Sequence, residues 1–342
     1  MDLITQGFLG AALAQSAARP AETRLATGIG FAAGLLADAD ALIYSSADSL
    51  LTIEYHRHFT HSIFFIPFGA LIAALLLWPF FRHRLGFKRL YVFSLLGYSL
   101  SGFIDACTSY GTYLLWPLFD ERFAFHIISI VDPIFTLALI IGVVLAWRRR
   151  SRLPARLGLV VAALYLGVAV LQLQRAESAI ESLAATRGHV PARLIAKPTF
   201  GNILVWRSVY EHEGYFYIDA VRVGQQPRLF EGSMIKQYRP ARDSNGLARD
   251  SVLYRDIMRF KKFSDNYIAL HPQYENVLAD VRYSIEPDGV LPLWGIEMDF
   301  GQPQQHARFR VYRNLTRQRR ERFLAMLMDA EVLSNKPVRM IE

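Results

Sequence analysis

The chain has 342 residues, 52% of them hydrophobic, a positive mean hydropathy and a formal net charge of +8. Its single cysteine, Cys107, excludes a disulfide within the chain and any zinc site built on cysteines. The basic excess does not indicate nucleic acid: it is not interleaved with aromatic residues, and much of it lies in short loops between apolar runs, where Lys and Arg set membrane topology.

Apolar runs fill the first half of the chain, and ordinary charged sequence fills the second. The expected fold is a mainly α membrane domain of about six transmembrane helices, residues 1–174, followed by a small α+β soluble domain, residues 175–342. The opening stretch "MDLITQGFLGAALAQSAARP" ends like a signal peptide but has no basic start, and Asp2 is its only charge before Arg19. It reads as a retained, short first helix. The six spans fall at 3–18, 25–45, 62–82, 90–107, 127–147 and 157–174. Gly30 with Gly34, and Gly97 with Ser101, lie four apart and mark close helix contacts.

Three junctions, "RPAETR", "RHRLGFKR" and "RRRSRLPAR", carry eleven Lys and Arg residues, whereas the opposite loops, 46–61 and 108–126, hold only Arg57 and Arg122. The positive-inside rule puts the basic junctions in the cytoplasm. The loop "EYHRHFTHS" (54–62) and the soluble domain then lie on the periplasmic, extracytoplasmic side of a bacterial inner membrane.

Four aspartates sit in or beside the spans: Asp38, Asp40, Asp105 and Asp132. Each costs about 3 kcal/mol or more to insert and so calls for a function. The orientation brings all four to the outer level of the membrane, with His56, His58 and His61. Imidazoles and carboxylates together are a ligand set for zinc, manganese or iron. Asp38 and Asp40 point to different sides of a regular helix, so both ligate only if the span ends or unwinds at Ala37–Ala39. Asp40 is the expected ligand and Asp38 a ligand or an orienting group. His58 and His61, three apart, would share a helix face. If Thr60 caps the third helix, His56 lies in the loop and is free to reach in. Asp132 precedes Pro133, which also suits a helix cap.

In this order, "MDLITQGFLGAA", "ADAD", "HRHFTHS", "DACTSYGT" and "VDP" resemble the membrane-bound metal-dependent hydrolase family related to YdjM, over residues 1 to about 147. That family is distantly similar to zinc-dependent phospholipase C and P1 nuclease. Against its pattern "HRGxTHS", the resemblance implies His56 and His61 as ligands and leaves His58 a local role. Ser101 stands where many members carry His, four residues before Asp105, and Gln6 stands where some carry His. Fewer nitrogen ligands favour an Asp-rich site of one or two metals, zinc or manganese.

Beyond residue 180, "NILVWRSVYEHEGYFYIDAVRV" reads as a hairpin around "EHEG". "SVLYRDIMRFKKF" reads as a helix, "VLADVRYSI", "LWGIEMDF" and "HARFRVYR" as strands, and "TRQRRERFLAMLMDAEVL" as a closing helix. No catalytic motif occurs there, and His212 and His306 read as surface or sheet residues.

The functional expectation is an integral-membrane metal-dependent hydrolase with the metal on Asp38, Asp40, His56, His61 and Asp105. Arg57 would bind an anionic group such as phosphate, and Asp132 would act as a supporting partner or general base. A site at membrane depth suggests a lipid or lipid-linked phosphoester as substrate. The alternatives are an ion, proton or metal transporter, or a membrane scaffold with a structural metal. A protein partner of the C-terminal domain is not identifiable.

Overall fold

The computed structural model describes residues 1–244, 246–313 and 315–330, together with the backbone of 340–341. Two compact units form: Met1–Ile43 with Tyr55–Leu171 and Phe200–Asn202, and Tyr44–Glu54 with Gln172–Thr199 and the residues from Ile203 on.

The first unit is helical. Asp2 caps α1 (Leu3–Ser16), its carboxylate accepting from the Thr5 amide at 3.0 Å. α2 (Thr23–Leu36) passes into a 3-10 helix, Ala37–Leu42. The short α3 (Leu51–Tyr55) belongs to the second unit through Glu54, and back in the first unit a 3-10 turn (Phe59–His61) precedes α4 (Ile66–Phe81). Then come α5 (Phe87–Tyr98), α6 (Ser101–Ala106), α7 (Pro133–Arg149) and the long α8 (Leu153–Thr186).

Helices thus stand at all six expected places, with altered bounds. The third starts at Ile66 with Phe65 before it, so Thr60 does not cap it. The fourth is two helices, α5 and α6. The fifth starts at Pro133, and the sixth runs on to Thr186. Among the described residues two helices are long and apolar enough to cross a membrane, Thr23–Leu42 and Leu153–Thr186. A third joins them if Leu51–His61 and Ile66–Phe81, bent by 93°, form one broken span. The others fall short by length: the 14 residues of α1 reach about 21 Å at ~1.5 Å per residue, against a ~30 Å hydrocarbon core.

Glycine lets α1, α2 and α5 meet backbone to backbone. A Cβ on Gly30 would stand 2.4 Å from the Gly10 carbonyl oxygen, and one on Gly97 2.6 Å from that of Gly30. A Cβ on Gly102 would stand 2.0 Å from the His61 carbonyl oxygen, which fixes how closely α6 approaches the histidine turn.

The second unit holds two antiparallel meanders. The first contains β1 (Arg193–Pro198), β2 (Val205–His212), β3 (Tyr215–Val223) and β4 (Pro227–Lys236). Glu213 and Gly214 turn the expected hairpin with φ of 48° and 82°, the positive values that a two-residue turn of this twist requires. α9 (Pro240–Asp243) and α10 (Val252–Phe263) precede the second meander. That meander contains β5 (Ile268–His271), β6 (Tyr274–Asp280), β7 (Trp294–Glu297) and β8 (Arg308–Val311). α11 (Arg317–Leu327) closes the unit, and β9 (Met340–Ile341) adds a short parallel pairing to β4. Residues 331–333 of the expected closing helix lie outside the described residues. "VLADVRYSI" is strand only through Asp280. Leu50, Leu253, Ile257, Phe260, Leu278 and Ile296 form one of this unit's cores, so the segment before the histidine loop is anchored here.

Candidate metal centre

The α2 helix tightens at Ala37, and that change shapes the site. A 3-10 helix has about three residues per turn, so two positions apart no longer face opposite sides. Asp38 and Asp40 flank one imidazole: Asp38 Oδ1 lies 3.4 Å from His61 Nε2, and Asp40 Oδ2 lies 3.3 Å from His61 Nδ1. Asp105, from α6, brings its Oδ2 to 2.9 Å from the same Nε2. All three carboxylates and His61 are buried.

The two aspartates of the 3-10 helix differ in their remaining bonds. Asp40 organises the histidine loop. It accepts from the Arg57 amide at 2.8 Å and the Thr60 hydroxyl at 2.5 Å, and its Oδ1 lies 3.0 Å from His56 Nδ1. The Arg57 backbone takes φ of 61° to make this turn. Asp38 Oδ1 and His61 Nε2 are buried atoms without a hydrogen bond, while Asp105 Oδ1 is met by the Met1 amino nitrogen. Such atoms are costly in a protein interior unless something else engages them.

Ligand atoms of Asp38, His61 and Asp105 lie within 4.8 Å of one another, as do those of Asp38, Asp40 and His56. Carboxylates and imidazole suit a divalent cation, and the orphaned buried atoms are where it would sit, so the residues fit one. Asp38 belongs to both groups. The cation already at hand is Arg57, whose Nε is 3.3 Å from Asp105 Oδ2.

Arg57 is buried rather than spread on the surface. Its guanidinium also donates to Thr108 Oγ1 and the Met1 carbonyl, both at 3.2 Å, and lies over the Tyr110 ring. His58 packs against Tyr113, with ring centroids 4.4 Å apart, and also meets Tyr55 and Trp116. Asp132 caps α7, accepting from the Ile134 and Phe135 amides, and its other oxygen accepts from Tyr165 at 2.8 Å. It is not among the grouped ligand atoms of the described residues.

Gln6 enters the site directly, donating from Nε2 to Asp105 Oδ2 at 2.9 Å, while Ser101 is buried on α6. Thr60 and Tyr98 are participants the charge count gave no reason to single out as partners: Tyr98 donates to the Thr60 carbonyl at 2.7 Å. A hydroxyl between two histidines in "HFTH" is the signal that marks Thr60. In the second unit, Asp48, Asp256 and His306 also converge. There Arg259 lies 3.0 Å from Asp48, 2.9 Å from Asp256 and 2.6 Å from Glu54, which accounts for the cluster as an ion-pair network.

The profile of the YdjM inner membrane protein family matches residues 1–176, just over half of the chain. The chain belongs to the YdjM family. It is a family of membrane-bound metal-dependent hydrolases. The matched stretch contains every aspartate and histidine of the centre. No curated protein matches the chain, and no solved structure does.

Proposed function

We propose that this YdjM-family protein is a hydrolase of the inner membrane that uses zinc or manganese to cleave a phosphoester of a lipid or lipid-linked substrate at the outer face. Asp38 carries this reading. It belongs to both groups of candidate ligand atoms and also lines an apolar groove of about 440 Å³ formed by Leu3, Ile4, Phe31, Leu35, Ala39 and Leu42. A groove of this character suits an apolar tail, and it brings the head of the tailed molecule to the acidic cluster.

In this reading the six expected spans of the N-terminal region all lie in the membrane, with 1–174 as the membrane domain and 175–342 on the periplasmic side. Asp38, His61 and Asp105 would hold the cation, and His56, grouped with Asp38 and Asp40, would serve a second one. Such a cation supplies Lewis acidity and makes a water more acidic. Asp40 orients His61 and His56, reversing the split expected from sequence, because it bonds the histidine loop and lies against both rings, whereas Asp38 Oδ1 has no hydrogen bond. Carboxylates behind ligating histidines commonly have this task. Arg57 balances Asp105, and its positive charge beside the cluster favours an anionic ester. Asp132 holds the start of α7.

The test is hydrolysis of phosphatidic acid in detergent micelles by the purified protein, with and without added zinc or manganese. Metal-dependent phosphate release that is absent in His61→Ala supports the reading. Equal release from both proteins rejects it. A second reading, a structural or transport network without hydrolysis, draws on the Arg57 contact with Asp105. Tight metal binding with no turnover on any lipid phosphoester would favour it.

A further inference from the structure

The second unit contains a cavity of about 230 Å³ that belongs to none of the chemistry above. The β5–β6 turn, the loop 284–292, the end of β8 and the first turn of α11 converge on it. The β5–β6 register slips between Leu270 and His271, and bulges of this kind re-aim side chains. His271 lines the cavity and is 5% exposed. Its Nδ1 accepts from the Gln273 amide at 3.0 Å, which leaves the proton of the neutral ring on Nε2. No acceptor among the described residues takes that proton. Burial also lowers the His271 pKa, which keeps the ring neutral.

Around this donor the lining is mixed. Tyr274 and Tyr312 stack with centroids 5.4 Å apart, and His271 packs on both, at 4.7 and 4.8 Å. Arg313 and Arg319 supply positive charge and Glu286 an acceptor, its carboxylate 3.5 Å from Arg319. Aromatic faces are electron-rich and attract the C–H bonds on the flat side of a sugar ring. Side chains with fixed donors and acceptors read hydroxyl groups, and guanidinium groups read an oxyanion. Drug-sized pockets span roughly 300–1,000 Å³; this smaller cavity suits a single ring.

We propose that this cavity is a binding site for a phosphorylated monosaccharide unit, with the ring against Tyr274 and Tyr312, a ring oxygen accepting from His271 Nε2, and the phosphate at Arg313 and Arg319. This goes beyond the membrane centre and does not depend on it. The test is calorimetric titration of the full-length protein in detergent with glucose 1-phosphate, glucose and inorganic phosphate in turn. Saturable binding of glucose 1-phosphate, at least about tenfold tighter than either half alone, is expected, since about 1.4 kcal/mol corresponds to a tenfold change. Arg313→Ala should weaken glucose 1-phosphate and leave glucose unchanged, and Tyr274→Ala should weaken both. Both residues are exposed, so neither substitution threatens the fold. Absence of saturable binding, phosphate binding as tightly as glucose 1-phosphate, or indifference to both substitutions would overturn the proposal.

Discussion

His61 Nε2 lies 2.9 Å from Asp105 Oδ2, yet the two form no hydrogen bond. On the other side of the ring, Nδ1 is 3.0 Å from the Thr60 hydroxyl and 3.3 Å from Asp40. The imidazole is therefore held from one edge and presented from the other. Close approach without hydrogen-bond alignment is how donors look when they aim at a shared point rather than at each other.

That asymmetry separates Asp38 from Asp40. Asp38→Asn should abolish metal binding, because it removes an atom aimed at the shared point. Asp40→Asn should weaken metal affinity by about 10–100-fold while leaving some binding, as loss of an orienting carboxylate does. Metal titrations of the two variants side by side check this. Equal losses would erase the distinction, and full metal with gained stability in both would mean the aspartates were only an insertion cost.

Asp132 provides the opposite kind of case. Its oxygens are engaged by the α7 amides and Tyr165. Asp132→Ala should therefore cost about 0.5–2 kcal/mol of stability, the usual price of a lost cap, with metal content unchanged. Thermal unfolding and elemental analysis of the same preparation decide it. Lost metal at unchanged stability would move Asp132 into the centre.

Orientation is testable independently. A reporter that works only after export, fused after Glu342, should be active, because the basic junctions carry eleven Lys and Arg and the opposite loops only Arg57 and Arg122. Activity of a cytoplasm-only reporter at the same place would invert the topology.

Lys197, on β1, gives a pH signature of the second unit. It is 7% exposed, and its Nζ lies 3.2 Å from the Tyr283 ring centre. Burial, with Arg207 and Arg282 adding to it, holds its pKa well below the ordinary lysine value. The unfolded chain binds this proton more readily than the native state. The stability contribution of Lys197 therefore rises with pH toward the unfolded value of ~10.4 and falls as pH drops below it. Lys197→Met should be the more stable protein near neutral pH, by a margin that shrinks toward pH ~10. Melting curves across that range test it; a margin independent of pH would show that the lysine is not neutralised by burial.

Much of the centre was legible before the structure because charge counting placed Asp38, Asp40, Asp105 and the histidines at one level, and five short motifs pointed the same way. Charge counting put Asp132 at that level too, and its oxygens bond locally, to the α7 amides and Tyr165. The different bonding of Asp38 and Asp40 was hidden because it depends on a helix tightening at Ala37 and on which of them accepts from Thr60 and the Arg57 amide. Neither is a periodicity. The "EHEG" hairpin was readable from its turn, whereas β1, β4 and β5 were not singled out: "RLIAKP", "PRLFEGSMIK" and "IALH" are strands by their pairing partners more than by their own alternation. The extension of α8 to Thr186 passes through polar sequence, where an apolar run no longer marks a helix.

The most direct test of the central claim is the metal content of the purified wild-type protein beside His61→Ala, after both are loaded with zinc or manganese and freed of excess. The centre described here predicts retained metal in the wild type and its loss in the variant, with both proteins still folded by circular dichroism. Equal metal content in the two, or none in a folded wild type, would contradict it.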